Sequence, residues 1–144
     1  MPGWVEDASQ AFMKRLQDHV QLNLIEMPLI KRGKSSDVTR ILEKEMLNMR
    51  AAIPNQSYLI ALDKSGRMFS SEQLATQLEQ LQQKTSHLCF LIGGPEGISA
   101  ELLRACHERW SLSTLTFPHT IARIILLEAL YRSWSILQNH PYHK

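Results

Sequence analysis

Residues 86–99 read SHLCFLIGGPEGIS: an apolar run that stops at two glycines, with a third glycine after Pro-Glu. A buried strand emptying into a glycine-rich loop is a junction at which α/β proteins hold ligands, beyond the carboxyl ends of their strands. The run 87–92 is apolar on both faces, and so is SYLIALD at 57–63. Strands of that kind belong to parallel sheets covered on two sides, and helical patterns alternate with them along the chain. The expected architecture is therefore α/β with a parallel sheet, in one domain over 1–144. Three loops qualify as ligand sites on sheet geometry: those after Leu62, after Ile92 and after a strand near Leu115.

Working outward, Trp4, Ala8, Phe12, Leu16 and Val20 recur every four residues, one stripe of an amphipathic helix over 4–20. VQLNLIE (20–26) alternates apolar and polar residues, a strand signal that slides into Pro28. Asp37 can cap a helix that buries Val38, Ile41, Leu42, Met46 and Met49, and Pro54-Asn55 ends it. Ser70 stands three residues before Gln73, a capping box opening a helix on Leu74, Leu78 and Leu81. Ser99 caps a short helix ending near His107, and WSLSTLTF (110–117) reads as a short strand running into a loop. A long helix is expected over 119–137, with Ile121, Ile124, Ile125, Leu127, Tyr131 and Trp134 on more than one face. Such a helix packs on two sides, either deep in its own domain or against another subunit.

The composition sets limits. A chain of 144 residues can bury roughly 70% of its unfolded surface, so it needs no staples. A net charge of +2 decides nothing about nucleic acid, but KRGKSSDVTR (31–40) gathers Lys31, Arg32, Lys34 and Arg40 against Asp37 alone. If that segment acts, phosphate contact through Lys31, Arg32 and Lys34 is its natural role; otherwise it is a solvated loop. Cys89 and Cys106 lie in apolar stretches without metal spacing, as reduced, buried thiols do. The first twenty residues carry Glu6, Asp7 and Asp18 and no apolar core, so no secretory signal is expected. TIARIILLEALYRSW (120–134) holds Arg123, Glu128 and Arg132 and is not expected to span a membrane. A cytoplasmic location follows as the simplest account.

GGPEG lacks the lysine of a phosphate-binding loop and the spacing of a dinucleotide fingerprint. Glu96 would repel a pyrophosphate and tolerate a cationic ligand. A tight turn that uses glycine only for backbone shape remains open as the alternative. His119, His140 and His143 fall in the last quarter of the chain with Arg123, Arg132 and Tyr142, groups able to move protons or stack on bases. The His-x-x-His of 140–143 crosses a proline without an acidic or cysteine partner, so no metal is expected there. His107, at a helix end, suits the dipole as a charged imidazole. No Ser-His-Asp set, Cys-His pair or carboxylate pair has persuasive spacing.

LIGGPEG (91–97), WSLSTLTFPH (110–119), ARIILLEALYRSWSI (122–136) and the terminal NHPYHK, with KRGK and Leu62-Asp63, resemble the RlmH-type (YbeA-type) 23S rRNA pseudouridine N3-methyltransferases. The resemblance covers essentially the whole chain. It implies a SPOUT-class fold with a C-terminal trefoil knot, which periodicity alone would not suggest. It also implies an S-adenosyl-L-methionine pocket, a homodimer, and a pseudouridine substrate in helix 69 of 23S rRNA on the assembled ribosome. The family's cofactor contacts match Leu62, Gly93, Leu112, Ser113, Thr114, Leu115, Thr116 and Phe117, with Gly94 and Gly97 shaping the turn. His119 and Tyr142 are candidates to orient the base or handle its proton, with Arg132 and Arg123 as anchors or charge stabilisers; His140 and His143 join the lysines as RNA contacts. Family members carry a short strand ahead of the stretch matching MPGW, so the first family strand is expected to be missing here. Two rivals stay open: methylation of another rRNA or tRNA nucleoside, and a non-catalytic ribosome-binding module.

Overall fold

The computed structural model describes residues 2–28, 30 and 37–143. Five helices and three strands follow in the order α1 (Gly3–Gln17), α2 (Val38–Ala52), β1 (Tyr58–Arg67), α3 (Ser71–Lys84), β2 (Leu88–Leu91), α4 (Ala100–Ala105), β3 (Glu108–Trp110) and α5 (His119–Leu137). The sheet has the order β2-β1-β3 with both pairings parallel, as the doubly apolar strands required.

Helices cover both faces. On one, Met46 of α2, Leu102 of α4 and Ile98 of the loop before α4 pack onto Ala61 and Leu91. On the other, α3 sets Leu74, Leu78 and Leu81 against Ile60 and Trp110, and α5 adds Ala129 and Leu130. Burying side chains such as Ile60 and Leu81 contributes about 1.5–3 kcal/mol each. Beyond α5 lies α1, whose Met13 and Leu16 meet Leu127 and Tyr131. Sheet, α3 and α1 of its own chain thus cover Leu127, Ala129, Leu130, Tyr131 and Trp134 of α5, while Ile121, Ile124 and Ile125 stay half-buried.

The caps form as expected. Asp37 accepts from Thr39 N, Ser99 from Leu102 N, and Ser70 and Gln73 close the reciprocal capping box.

Four expectations need correction. In α1 the buried residues are Val5, Ser9, Met13 and Leu16, while Trp4 is 55% exposed. A strict four-residue repeat advances about 40° around the axis per step, so a stripe begun at Trp4 leaves the buried face. VQLNLIE forms no strand; Val20 and Leu22 lie half-buried against the α1–α5 cluster, so a helical surface rather than a sheet neighbour covers them. The third strand lies upstream of its expected place, at Glu108–Trp110, and Ser111–Phe117 is loop. There Ser111 Oγ donates to Ser113 O at 2.9 Å and Ser113 Oγ accepts from Leu115 N at 3.0 Å, local bonds that compete with sheet pairing. Leu62 does not end β1; it sits where the β1–β3 register breaks, with both Leu62 and Arg67 opposite Trp110.

Candidate functional site

Parallel strands share one carboxyl edge. Ala61 pairs with Leu91 and Leu62 with Trp110, so Leu62, Ile92 and Ser111 stand at neighbouring levels on that edge. Three features follow those residues: the register break within β1 after Leu62, the turn 93–97 after β2 and the loop 111–117 after β3; of the expected strand-end loops, only the one after Ile92 lies where sheet geometry put it.

The glycine turn is built by the backbone. Gly97 N donates to Gly94 O at 2.9 Å across Pro95-Glu96, and proline suits the second position of such a turn. Gly97 has φ +81°, the left-handed region that glycine enters without strain. A Cβ on Gly93 would lie 2.5 Å from the Gly97 carbonyl carbon and oxygen and 2.9 Å from Ile98 Cγ1. No side chain fits. Loop 111–117 is tied down by Ser111 N, which donates to Arg67 O at 2.9 Å. Within it Leu112, Ser113 and Phe117 are half-buried, Thr114 and Thr116 exposed, and Leu115 is 69% exposed, an unusual placement for a leucine. His119 follows as the first, half-buried residue of α5.

The tail is the second element of the site. Its end is closed onto the helix before it. Asn139, at φ +54°, ends α5 in a Schellman turn: His140 N donates to Ser135 O at 2.8 Å and Asn139 N to Ile136 O at 3.3 Å. Asn139 followed by Pro141 was the signal that could have revealed it. The turn folds the tail onto α5. Glu128 Oε1 then accepts from Arg132 Nε (2.9 Å) and Nη2 (2.7 Å) and from the Tyr142 hydroxyl (3.0 Å). Burial, then the Glu128 bond, push the Tyr142 hydroxyl up from its ordinary pKa, while that bond makes the Arg132 guanidinium hold its proton more tightly. Arg132 also lies 4.9 Å over the Tyr142 ring.

His143 extends the chain of contacts to α3. Arg132 Nη1 lies 3.0 Å from His143 Nδ1, and arginine can only donate. His143 Nδ1 therefore accepts, and Nε2–H donates to Glu72 Oε1 at 3.1 Å. Its own backbone amide, then His143, hold the Glu72 carboxyl below the usual range. Because α3 opens soon after β1 ends, Glu72 carries the tail toward the carboxyl edge of the sheet.

The other sequence candidates disperse. Arg123 is buried and pairs with Glu26 at 2.8 Å, tying α5 to the segment after α1. His140 is exposed; its Nδ1 accepts from Tyr142 N at 3.2 Å, and its ring meets Trp134. Lys31, Arg32 and Lys34 lie outside the described residues. His107 departs from expectation, since its Nδ1 accepts from Leu59 N at 2.9 Å, a bond only the unprotonated nitrogen makes. Cys89 and Cys106 are free thiols, half-buried, with pKa values pushed up by burial.

Sequence reasoning missed Glu108. The Tyr58 hydroxyl (2.6 Å), Gln77 Nε2 (3.0 and 3.1 Å) and Trp110 Nε1 (2.8 Å) all donate to it. Burial, then Glu108, push Tyr58 up to about 12. These donors come from three elements, and nothing local in the chain announces them. Among the described residues no three His, Cys, Asp or Glu side chains gather as a metal site, and no helix is long and apolar enough to cross a membrane.

Residues 1–143 match the family described as predicted SPOUT methyltransferase, and the chain belongs to that family. Among its relatives are two proteins named ribosomal RNA large subunit methyltransferase H, from Legionella pneumophila strains Paris and Lens. Each is 60% identical over 144 residues, which cover 100% of this chain and 92% of the relative.

Proposed function

We propose that the chain methylates N3 of a pseudouridine in helix 69 of 23S rRNA on the assembled ribosome, with S-adenosyl-L-methionine as methyl donor. The observation that carries this is the meeting of Leu62, the turn 93–97 and loop 111–117 at one sheet edge, in a methyltransferase family member. Relatives bearing the large-subunit name support the RNA class.

The residues present suit the donor. Leu62, Leu112, Leu115 and Phe117 offer apolar surface, the glycine turn offers bare backbone, and the sequence GGPEG lacks the lysine of a phosphate-binding loop. The bound donor supplies a methyl group already activated on a sulfonium. What remains for the protein is alignment and one proton, because the imide hydrogen of N3 must leave. Alignment can supply a large share of the acceleration. Accepting the proton adds roughly 10²- to 10⁴-fold.

Tyr142 suits an orienting role, since its hydroxyl already donates to Glu128 and gives up its proton less readily than a free phenol. His119, between loop 111–117 and α5, is the proton-handling candidate; Arg132, held by Glu128, presents positive charge beside the tail. Lys31, Arg32, Lys34, His140 and His143 are assigned to RNA contact, and Arg123 to anchoring α5. The knot and a homodimer, one subunit holding donor and the other presenting RNA, complete the reading. Mass-spectrometric mapping of methylated nucleosides after incubation with ribosomes tests it: a 3-methylpseudouridine in helix 69 is expected, and methylation elsewhere overturns the substrate assignment.

A further inference from the structure

The flank of α3 beside β3 is built largely of amides. Gln73, Thr76, Gln77 and Gln80 stand at i, i+3, i+4 and i+7, one stripe of the helix. With Arg67 and Glu72 they line a concavity of about 290 Å³, at the small end of ligand sites.

Two of the amides are locked in orientation. Gln73 Oε1 accepts from Ser70 N at 2.9 Å, and Gln77 Nε2 donates to the Glu108 carboxylate. A backbone N–H only donates and a carboxylate only accepts, so partner chemistry decides both. The Gln73 nitrogen and the Gln77 oxygen are left to face a ligand, a donor and an acceptor about 6 Å apart along the helix. Gln80 adds a further amide. At the mouth, the Arg67 guanidinium lies 4.5 Å over the Phe69 ring. A stacked guanidinium still offers its outer face and its N–H groups to a base.

The groove's position matters as much as its chemistry. Arg67 O holds the first residue of loop 111–117, and Glu72 holds the tail through His143, so the concavity lies between the two parts of the site. Fixed donors and acceptors beside a flat cation match the edges and face of a base, whereas the Glu72 carboxylate opposes a phosphate at that end. We propose that this groove takes an unpaired base of the RNA substrate, stacked on Arg67 with its edge on Gln73, Gln77 and Gln80. The assignment rests on the RNA-methyltransferase reading and names where that RNA is gripped beside the modified nucleotide.

The test is methyl transfer to ribosomes from cells lacking this methylation, comparing the unmodified chain with the Arg67→Ala, Gln80→Ala double variant. Loss of one stacked base raises KM for ribosomes about tenfold. The kcat and the calorimetric affinity for S-adenosyl-L-methionine stay unchanged. In parallel, a photo-crosslinking residue at position 80 joins to rRNA. Superimposable saturation curves, or crosslinks to ribosomal protein alone, overturn the groove assignment while leaving the enzyme reading intact. No transfer by the unmodified chain overturns the enzyme reading and this inference with it.

Discussion

Gly93→Ala places a single methyl group where the turn has no room for one. Its Cβ would stand 2.5 Å from the Gly97 carbonyl atoms, about 1 Å inside ordinary carbon contact. The neighbour is backbone, so relief requires moving the turn and stretching the 2.9 Å bond from Gly97 N to Gly94 O. Overpacking of this kind costs roughly 1–3 kcal/mol. At about 3 °C per kcal/mol for a chain of this size, Tm falls by roughly 3–9 °C. The same displacement moves one wall of the proposed methyl-donor site, and calorimetry is expected to read at least tenfold weaker binding of S-adenosyl-L-methionine. Gly97→Ala is the matched control: its Cβ meets open space, but φ +81° costs about 1–2 kcal/mol. A Gly93→Ala protein with unchanged Tm and unchanged affinity would refute the steric reasoning. Weakened stability with intact affinity would remove this turn from the donor site and leave glycine there for shape alone.

Tyr142→Phe removes the 3.0 Å bond to Glu128 while keeping the ring, and His119→Ala removes the imidazole at the start of α5. Each is expected to lower methyl transfer at least tenfold with little change in donor affinity; unchanged turnover in both discards them from the mechanism. Glu26→Ala leaves the buried Arg123 guanidinium without its 2.8 Å partner, and thermal melts should show a loss of about 1–3 kcal/mol. Tyr58, raised to about 12 by burial and Glu108, holds its proton more tightly folded than unfolded. Its contribution is full below about pH 10 and fades toward pH 12, so denaturant titrations of wild type and Tyr58→Phe should converge over that window.

What the chain disclosed in advance divides by the range of the interactions. The helix starts at Asp37, Ser70 and Ser99, and the full extent of α5, rest on hydrogen bonds or periodicity within a few residues, and they read correctly. The loop after Ile92 was legible too, because strands apolar on both faces imply parallel pairing and a shared carboxyl edge, whereas β1 runs on past Leu62 to Arg67 and the third strand ends at Trp110, ahead of Leu115. Features that depend on distant partners were not. The alternation of 20–26 reports half-burial, and nothing in it says that α5 rather than a strand provides the cover. Glu108 reads as an ordinary charged residue until Tyr58, Gln77 and Trp110 converge on it. The tail is an intermediate case: Asn139 and Pro141 carry a signal for the turn that was not read, and the contacts of Tyr142 and His143 with Glu128 and Glu72 exist only once that turn has formed.

The central claim is that one sheet edge, joined by the tail, transfers a methyl group to a pseudouridine of 23S rRNA. Its most direct test incubates this chain and labelled S-adenosyl-L-methionine with ribosomes from cells lacking the modification, then digests the rRNA and identifies the labelled nucleoside. The account predicts close to one methyl per 23S rRNA, all of it 3-methylpseudouridine from helix 69. Label on any other nucleoside, or no label at saturating donor, would contradict it.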